Sequence, residues 1–244
     1  EQSIYVIDVR QSLHMKQIRK ILELMGYPWA ERIYHLAYEI VNLPGNVTMS
    51  SREGTVVLLD DLIREATKRA LEIVREKNPE LDPQEMQTIA EAVALGSIKY
   101  PMLARENTKM VTFDWESALD FNGQSAPYIQ YAHVRANSIL RKAGLEQPEV
   151  PQFSYDLQPS EINLIELLAR LIYEIQRAAK ELKPSLIANY AYDLAKAFND
   201  FYNQCPVLNA EPAIRAARLA LVAAARTCLV KVLTLMGIRA PEVM

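Results

Sequence analysis

The sequence predicts a mainly α-helical protein that begins with a small α/β portion. Glycine is scarce, at 7 of 244 residues, against a usual frequency of about 7%. Apolar residues recur at helical spacing from residue 60 onward, which predicts helices over most of the chain. A short, continuous apolar run at residues 4–7 instead predicts a buried strand near the start.

The predicted α/β portion covers residues 1–58. Residues 33–43 fit either a strand or a helix, and the Pro44-Gly45 pair that stops the run favours a strand. A polar loop over residues 46–54 follows. In order, the expected elements are a strand at 4–7, a helix at 12–25 closed by Gly26, a strand at 33–43 and a β-branched run at 55–59.

The rest of the chain is predicted to be helical, with a linking region at residues 59–115 and a helical domain at 116–244. A proline-rich stretch at residues 145–159 predicts a loop. The expected helices run from residue 60 to before Pro79, over 82–96 with Gly96 as terminator, over 125–143 closed by Gly144, and over 160–182, 185–205 and 212–236. The expected N-caps are Asp60 or Asp61, Asp82, Ser160 and Ser185.

Composition excludes several classes of protein. Half of the residues are apolar, which argues against a disordered chain, and two cysteines, Cys205 and Cys228, argue against a disulfide scaffold. The formal net charge is −3, so no overall basic excess indicates a polyanion binder. No signal peptide or run of about 20 apolar residues is present. We therefore expect a cytoplasmic protein without a membrane segment.

Several common chemical motifs are absent from the sequence. No glycines are spaced to form a phosphate-binding loop of the G-x-G-x-x-G type. The three histidines, His14, His35 and His133, are isolated from one another. Because metal sites need ligands at close spacing or in clusters, we expect no protein-bound metal.

The loop at residues 48–54 is one candidate binding element. It places Ser50, Ser51, Arg52 and a glycine between two strand-like runs. Hydroxyls, backbone N–H groups and a guanidinium could bind a phosphate chain. A solvated hairpin loop is the alternative that the same residues allow.

A second candidate lies on the helix after Gly123. Tyr128, Tyr131 and Arg135 lie on one face at about 100° per residue. Two aromatic rings and a guanidinium can stack unpaired bases and hold a phosphate. A tyrosine stripe that belongs to the core is the alternative.

These elements occur in an order that resembles arginyl-tRNA synthetases. Residues 49–63, MSSREGTVVLLDDLI, resemble the signature loop of class I aminoacyl-tRNA synthetases in the arginyl variant. Residues 5–14, YVIDVRQSLH, resemble the strand-to-helix segment before that loop. The further similar segments are GSIKY at 96–100, FDW at 113–115, SAPYIQYAHVR at 125–135, AKAFNDFY at 195–202 and LMGIRAPEVM at 235–244.

The resemblance implies a fold and a reaction. The fold would be part of a Rossmann-like nucleotide-binding domain, followed by a helical-bundle anticodon-binding domain. Arginine and ATP, supplied as its Mg²⁺ complex, would form arginyl-adenylate, and the arginyl group would pass to the tRNA. The second ATP motif of the class, His-x-Gly-His, is absent here. We therefore expect a C-terminal portion of such an enzyme, inactive alone and monomeric.

The resemblance also implies roles for individual residues. Ser50, Ser51 and Arg52 would be catalytic and act on the ATP phosphates. Thr48 stands where a lysine often precedes the methionine, and Glu53 adds a negative charge, so the strength of this phosphate clamp is open.

The arginine and ATP pocket would include Gln11, His14 and Met49. A polar residue at a helix N-terminus is the alternative for Gln11, and a core residue is the alternative for His14.

Anticodon contacts would come from Tyr128, Tyr131, Arg135 and Met244. A stand-alone anticodon-binding module without catalysis is the alternative function. A helical interaction protein without a nucleic-acid role is a third.

Overall fold

The computed structural model describes residues 2–43, 47–48, 58–145 and 153–244. It divides into two compact units. The α/β unit comprises Glu1–Val56 and Arg105–Asp114, and the helical unit comprises Val57–Ala104 and Trp115–Met244. The predicted mainly helical fold with a small α/β portion is confirmed. The three-part division at residues 58 and 115 stays a prediction.

The α/β unit contains two small sheets. β1 (Ser3–Asp8) pairs in parallel with β2 (Ile33–Tyr38), from Ser3 opposite Ile33 to Asp8 opposite Tyr38. The helix α1 (Ser12–Leu24) connects the two strands, as parallel pairing requires.

The predicted strand at residues 33–43 is present as two strands, β2 and β3 (Val41–Leu43). β3 pairs antiparallel with β4 (Val47–Thr48) and parallel with β5 (Val111–Thr112). Most of the predicted β-branched run at 55–59 lies outside the described residues.

The helical unit begins with two helices that pack against each other. In order, its helices are α2 (Leu59–Lys77), α3 (Pro83–Leu103), α4 (Trp115–Ala118), α5 (Ala126–Ala143), α6 (Pro159–Glu181), α7 (Pro184–Gln204) and α8 (Pro212–Leu235). The Asp82 carboxylate accepts a hydrogen bond from the Gln84 N–H at 2.8 Å, so its predicted N-cap role is confirmed. Helices α5 to α8 enclose a core that includes Leu164, Leu194, Phe198 and Leu229.

The N-caps predicted for α2, α6 and α7 are wrong. Leu58 is the N-cap of α2, and Asp60 and Asp61 lie in its first turn. Carboxylates there are stabilised by the positive end of the helix dipole. Gln158 and Lys183 are the N-caps of α6 and α7. Ser160 and Ser185 are buried inside the first turns of those helices.

Gly96 was predicted to end a helix, but α3 continues for seven further residues to Leu103. A Cβ at position 96 would lie 3.0 Å from the Ala126 Cβ and 3.2 Å from the Ile238 Cγ2. The glycine therefore permits close packing against α5 and the chain after α8. The atoms that a Cβ would crowd belong to neighbouring side chains, so at this position the glycine serves packing rather than a special backbone conformation.

Candidate nucleic-acid interface

The register of α5 is set at its first turn. The Ser125 hydroxyl accepts a hydrogen bond from the Tyr128 N–H at 3.2 Å, and Pro127 occupies the first turn, where no N–H is needed. Gly144 ends the helix in the left-handed conformation, with φ of 69°. These caps fix where α5 begins and ends, and the helical repeat between them places Tyr131 and Arg135 on one face.

Arg135 lies between two exposed tyrosine rings. Its guanidinium carbon is 4.9 Å from the centroid of the Tyr131 ring and 4.7 Å from that of Tyr202. It also donates a hydrogen bond to the Oδ1 of buried Asn199 at 2.5 Å. Tyr131 is 38% exposed and Tyr202 is 41% exposed. We call Tyr131, Arg135 and Tyr202 the aromatic–arginine surface.

This arrangement suits the stacking of unpaired bases. The cation–π contacts and the Asn199 hydrogen bond hold the guanidinium in one orientation. The two rings remain open to solvent, so a base could stack on either ring without displacing the arginine.

Tyr128 has a different environment from Tyr131. It is half-buried, packs against the core, and its ring centroid is 5.5 Å from that of Tyr192. The structure therefore brings Tyr131 and Arg135 together and places Tyr128 in a neighbouring pair of rings.

Tyr202 is a member of this surface that the sequence does not predict. It follows Asn199 by three residues on α7, so the two share a helix face. Both residues belong to the segment at 195–202, which resembles the family but gives no separate indication of a binding role. The contact with Arg135 spans 67 positions of sequence, and no local pattern indicates it.

Met244 is the last residue of a tail that follows α8 without regular secondary structure. The tail is tied to the helical unit by His133, whose Nδ1 lies 2.9 Å from the Pro241 carbonyl oxygen. Burial lowers the pKa of His133, and the hydrogen bond to the Pro241 carbonyl partly opposes this. Nearby Arg226 lowers the pKa and Glu242 raises it by smaller amounts. Met244 itself is partly buried.

The predicted pocket residues Gln11 and His14 lie just after the carboxyl end of β1. Gln11 ends a short 3₁₀ turn and precedes α1, and His14 is in the first turn of α1. Both side chains are exposed. Ligands of parallel α/β sheets commonly bind at this edge of the sheet.

The same turn carries an exposed bidentate ion pair. The Arg10 Nη2 and Nε donate to the Asp8 carboxylate at 2.7 and 2.9 Å, and the Arg10 N–H donates to it at 2.8 Å. These hydrogen bonds lower the pKa of Asp8 to about 2. The pair fixes the turn from which Gln11 projects.

The predicted phosphate loop lies outside the described residues. Met49, Ser50, Ser51 and Arg52 all belong to that segment. Within the described ranges, no group of three or more His, Cys, Asp or Glu side chains is close enough to hold a metal ion. No helix among those same residues is long and apolar enough to cross a membrane.

Comparisons with known proteins match both parts of the chain. The family model described as the class I tRNA synthetase (R) catalytic domain matches residues 1–115. The model of the DALR anticodon binding domain matches residues 129–244. The chain belongs to the arginyl-tRNA synthetase family. It contains a portion of the class I catalytic domain together with the anticodon-binding domain of this family.

Individual arginyl-tRNA synthetases are similar over nearly the whole chain. The arginine–tRNA ligase of Chloroflexus aurantiacus is 40% identical over 98% of this chain and 42% of its own length. That of Pyrococcus abyssi is 44% identical over 98% of this chain and 39% of its own length. The solved arginyl-tRNA synthetase of Thermus thermophilus has a TM-score of 0.91 and 41% identity, and the match covers all of this chain and 41% of that one. The chain therefore spans about 40% of the length of these relatives.

Proposed function

We propose that this chain is the tRNA-binding portion of an arginine–tRNA ligase and that its helical unit binds the anticodon loop of tRNA for arginine. The aromatic–arginine surface is the observation that supports this most directly. It lies within the part of the chain that matches an anticodon-binding family, and it offers two open rings beside a held guanidinium.

Stacking accounts for RNA binding by a domain without excess positive charge. Residues 116–244 carry no net charge. Bases in a single-stranded loop can be splayed outward and stacked on aromatic or guanidinium planes. We assign base contacts to Tyr131, Arg135 and Tyr202, with Tyr128 beside them and Met244 contributing from the tail.

For the whole enzyme we propose two steps. The arginine carboxylate attacks the α-phosphorus of ATP and pyrophosphate leaves. A ribose hydroxyl of the tRNA then attacks the carbonyl carbon of the arginyl-adenylate, loses its proton and takes the arginyl group as AMP leaves. Positioning and electrostatic stabilisation provide most of the catalysis in such displacements. Arg52 would balance charge on the departing pyrophosphate, and Ser50 and Ser51 would donate hydrogen bonds to phosphate oxygens.

The same proposal gives the α/β unit a part in the pocket. Gln11, at the carboxyl end of β1, would contact arginine or the adenylate, with His14 and Met49 nearby. ATP would enter as its Mg²⁺ complex, with the metal held by phosphate oxygens and water rather than by a cage of protein ligands. The cytoplasmic location and the monomeric state stay predictions.

Substitution of Tyr131 by alanine tests the anticodon assignment. Base–aromatic stacking contributes roughly 1–3 kcal/mol per base, so Tyr131→Ala should weaken binding of an arginine anticodon stem-loop RNA about 5- to 150-fold. Because the ring is partly exposed, the thermal midpoint should stay within a few degrees. Fluorescence anisotropy at fixed salt measures the affinity.

Tyr173→Ala is the matched control. Tyr173 is 62% exposed on α6, so its loss should leave both affinity and stability unchanged. Equal affinity of the unsubstituted chain for an unrelated anticodon would contradict the specificity assignment. A large stability loss in Tyr131→Ala would favour a core role for this ring.

Pyrophosphate exchange distinguishes a partial ligase from an independent binding module. The chain alone should show no exchange that depends on arginine and ATP, because the His-x-Gly-His motif is absent. Exchange restored by adding the missing portion of the catalytic domain in trans would support the ligase. RNA binding without any restored exchange would favour the binding module.

A further inference from the structure

Arg135 is a half-buried arginine whose contacts with the described residues are all with neutral groups. Its guanidinium carbon lies 4.9 Å and 4.7 Å from the ring centroids of Tyr131 and Tyr202, and its Nη1 donates to the Asn199 Oδ1 at 2.5 Å. Among the residues that the structure describes, no carboxylate forms an ion pair with it. Because a guanidinium stays protonated in proteins, the charge is held in place without being neutralised.

Arg218 shows how the same unit arranges an arginine with a structural role. Its guanidinium carbon also lies over a ring, 5.9 Å from the centroid of Tyr155, and its Nη1 donates to the Pro206 oxygen at 2.8 Å. In addition, its Nε donates to the buried Glu161 carboxylate at 2.8 Å. Both arginines therefore contact a ring and a neutral oxygen, but of the two only Arg218 has a carboxylate partner.

Asn199 holds Arg135 with an amide, where a carboxylate of nearly the same shape would fit. Asn199 is 8% exposed and lies three residues before Tyr202 on α7, so both approach Arg135 from one helix face. An aspartate at this position would pair with the guanidinium and cancel most of its charge toward a ligand. The amide instead orients the guanidinium and leaves its charge available.

The edge of the Arg135 guanidinium has donors to spare. A guanidinium carries five N–H groups in one plane, and its Nη1 makes the hydrogen bond to Asn199. Within the part of the chain that the structure describes, its Nε and Nη2 make no hydrogen bond. A planar edge of N–H donors matches the oxygens of a phosphate. Beside two open rings that can stack bases, the fitting anion is the phosphate that joins two stacked nucleotides.

We propose that Arg135 binds a backbone phosphate of the RNA and that Asn199 is a positioning residue, which holds the guanidinium beside the rings without neutralising it. The two nucleotides joined by this phosphate stack on Tyr131 and Tyr202. This inference rests on the proposed function of the helical unit, and it narrows the contact of Arg135 from a base to a phosphate.

The salt dependence of the affinity distinguishes a phosphate contact from a stacking contact. On a single strand, each neutralised phosphate adds about −0.7 to the slope of the logarithm of the association constant against the logarithm of salt concentration. Arg135→Gln should therefore make the slope for the arginine anticodon stem-loop shallower by about 0.7. It should also weaken binding about 10- to 150-fold, as expected for one hydrogen-bonded charge. Tyr131→Ala should weaken binding and leave the slope unchanged.

The two substitutions also distinguish failure of this inference from failure of the proposed function. Weaker binding by Tyr131→Ala together with an unchanged slope in Arg135→Gln would overturn the phosphate contact and leave the proposed function standing. Absence of stem-loop binding by the unsubstituted chain would overturn both.

Asn199→Asp tests the neutral amide, because the carboxylate should hold Arg135 more firmly while cancelling its charge. We expect a thermal midpoint equal to or above that of the unsubstituted chain, an affinity loss of at least about 10-fold and the shallower slope of Arg135→Gln. Unchanged affinity and slope would overturn the role of Asn199, because a merely structural asparagine can be replaced by any acceptor that holds the arginine.

Asn199→Ala removes the hold on Arg135 but not its charge. The slope should therefore persist, while affinity falls about 2- to 10-fold, since binding must then immobilise one long side chain. If Asn199→Asp does not fold, this variant decides, and an affinity equal to that of the unsubstituted chain would overturn the positioning role.

Asn189→Asp is the matched control on the same helix. Asn189 is exposed, and its Oδ1 accepts a hydrogen bond from the Gln124 Nε2 at 3.1 Å. It lies about 15 Å from Asn199 along α7 at 1.5 Å per residue. The same new charge there should change affinity less than about 2-fold and leave the slope unchanged. Equal losses in Asn189→Asp and Asn199→Asp would assign the effect to the overall charge of the helix and overturn the proposal.

Discussion

The two units of this chain differ in how they treat apolar side chains. In the helical unit, large apolar residues such as Phe198, Leu194 and Leu229 are fully buried. In the α/β unit, many large apolar residues are exposed, namely Ile4, Tyr5, Val6, Leu13, Ile21, Leu24, Met25, Tyr27, Trp29, Tyr34, Tyr38 and Met110. The strands and the helix of the α/β unit thus leave many of their large apolar side chains exposed to solvent.

β1 shows what this difference teaches. Successive side chains of a strand point to opposite faces, yet Ile4, Tyr5 and Val6 are all exposed. A continuous apolar run is typical of a parallel strand covered on both faces. The run therefore specifies the strand, whereas its cover depends on what other segments pack against it.

Ion pairs show a narrower difference: among the described residues, the pair with both partners buried lies in the helical unit, which also has exposed pairs. The ion pairs Asp8–Arg10 and Arg19–Glu23 of the α/β unit are exposed, where such pairs contribute about 0–1 kcal/mol. In the helical unit, fully buried Glu161 accepts a hydrogen bond from Arg218 at 2.8 Å and another from the Tyr155 hydroxyl at 2.7 Å. Loss of one partner there leaves a buried charge unpaired.

The same chemical change in each unit should have very different effects. Leu194→Ala removes a side chain that is 0% exposed and should lower the free energy of unfolding of the helical unit by about 2–5 kcal/mol. Leu24→Ala changes a side chain that is 76% exposed and should cost no more than about 0.5 kcal/mol. Urea unfolding followed by circular dichroism measures both.

Similar losses of unfolding free energy in Leu194→Ala and Leu24→Ala would contradict the difference in burial between the two units. In that case α1 would be covered in solution, and the exposed apolar residues of the α/β unit would belong to an interface.

Removal of the buried carboxylate should have the next largest effect. Glu161→Gln keeps the shape of the side chain but removes the charge that faces Arg218, and we expect a loss of roughly 1.5–3 kcal/mol. Glu181→Gln is the control on the same helix, because Glu181 forms an exposed pair with Arg177 and should change stability by less than about 1 kcal/mol. Chemical denaturation at neutral pH gives both values.

Equal stability of the two glutamine variants would mean that burial of the Glu161–Arg218 pair does not increase its contribution to the free energy of unfolding.

The Glu161 carboxylate should also make stability depend on pH. Burial by itself would raise the pKa of Glu161, but hydrogen bonds from Arg218, the Gln158 N–H and Tyr155 lower it overall. The stabilisation by this carboxylate should therefore be present above its unfolded pKa and be lost as the pH falls through the lower folded value.

The smallest expected effect is a dependence on pH through His133. Burial lowers its folded pKa below 6.5, so the unfolded chain binds the proton more readily. Stability should be fully present above pH 6.5 and fall as the pH drops through the folded pKa. His133→Asn should remove this part of the slope in thermal midpoints measured between pH 5 and pH 8.

Exposed His14, in the α/β unit, supplies the matched control. His14→Asn should leave the slope unchanged. A slope that persists in His133→Asn would assign it to other groups.

Local patterns in the sequence were enough to predict most secondary structure. The apolar spacing predicted the helices, and the Asp82-Pro83 signal was sufficient for the start of α3 because capping involves residues two or three positions apart. Ser160 and Ser185 misled because serine is a common N-cap and also packs well inside a first turn. Gly96 misled because a glycine that ends a helix and one that permits close packing look alike in sequence.

The sequence by itself determined the family, the helical character and the Tyr131–Arg135 pair, since these depend on order, spacing and motifs within single segments. Only the tertiary structure decided that Tyr202 completes the aromatic–arginine surface, that Glu161 meets Arg218, and that the tail is held by Gln130 and His133. Those contacts join residues 57 to 109 positions apart. Contacts at that separation depend on how the helices pack, which periodicity along one helix does not specify.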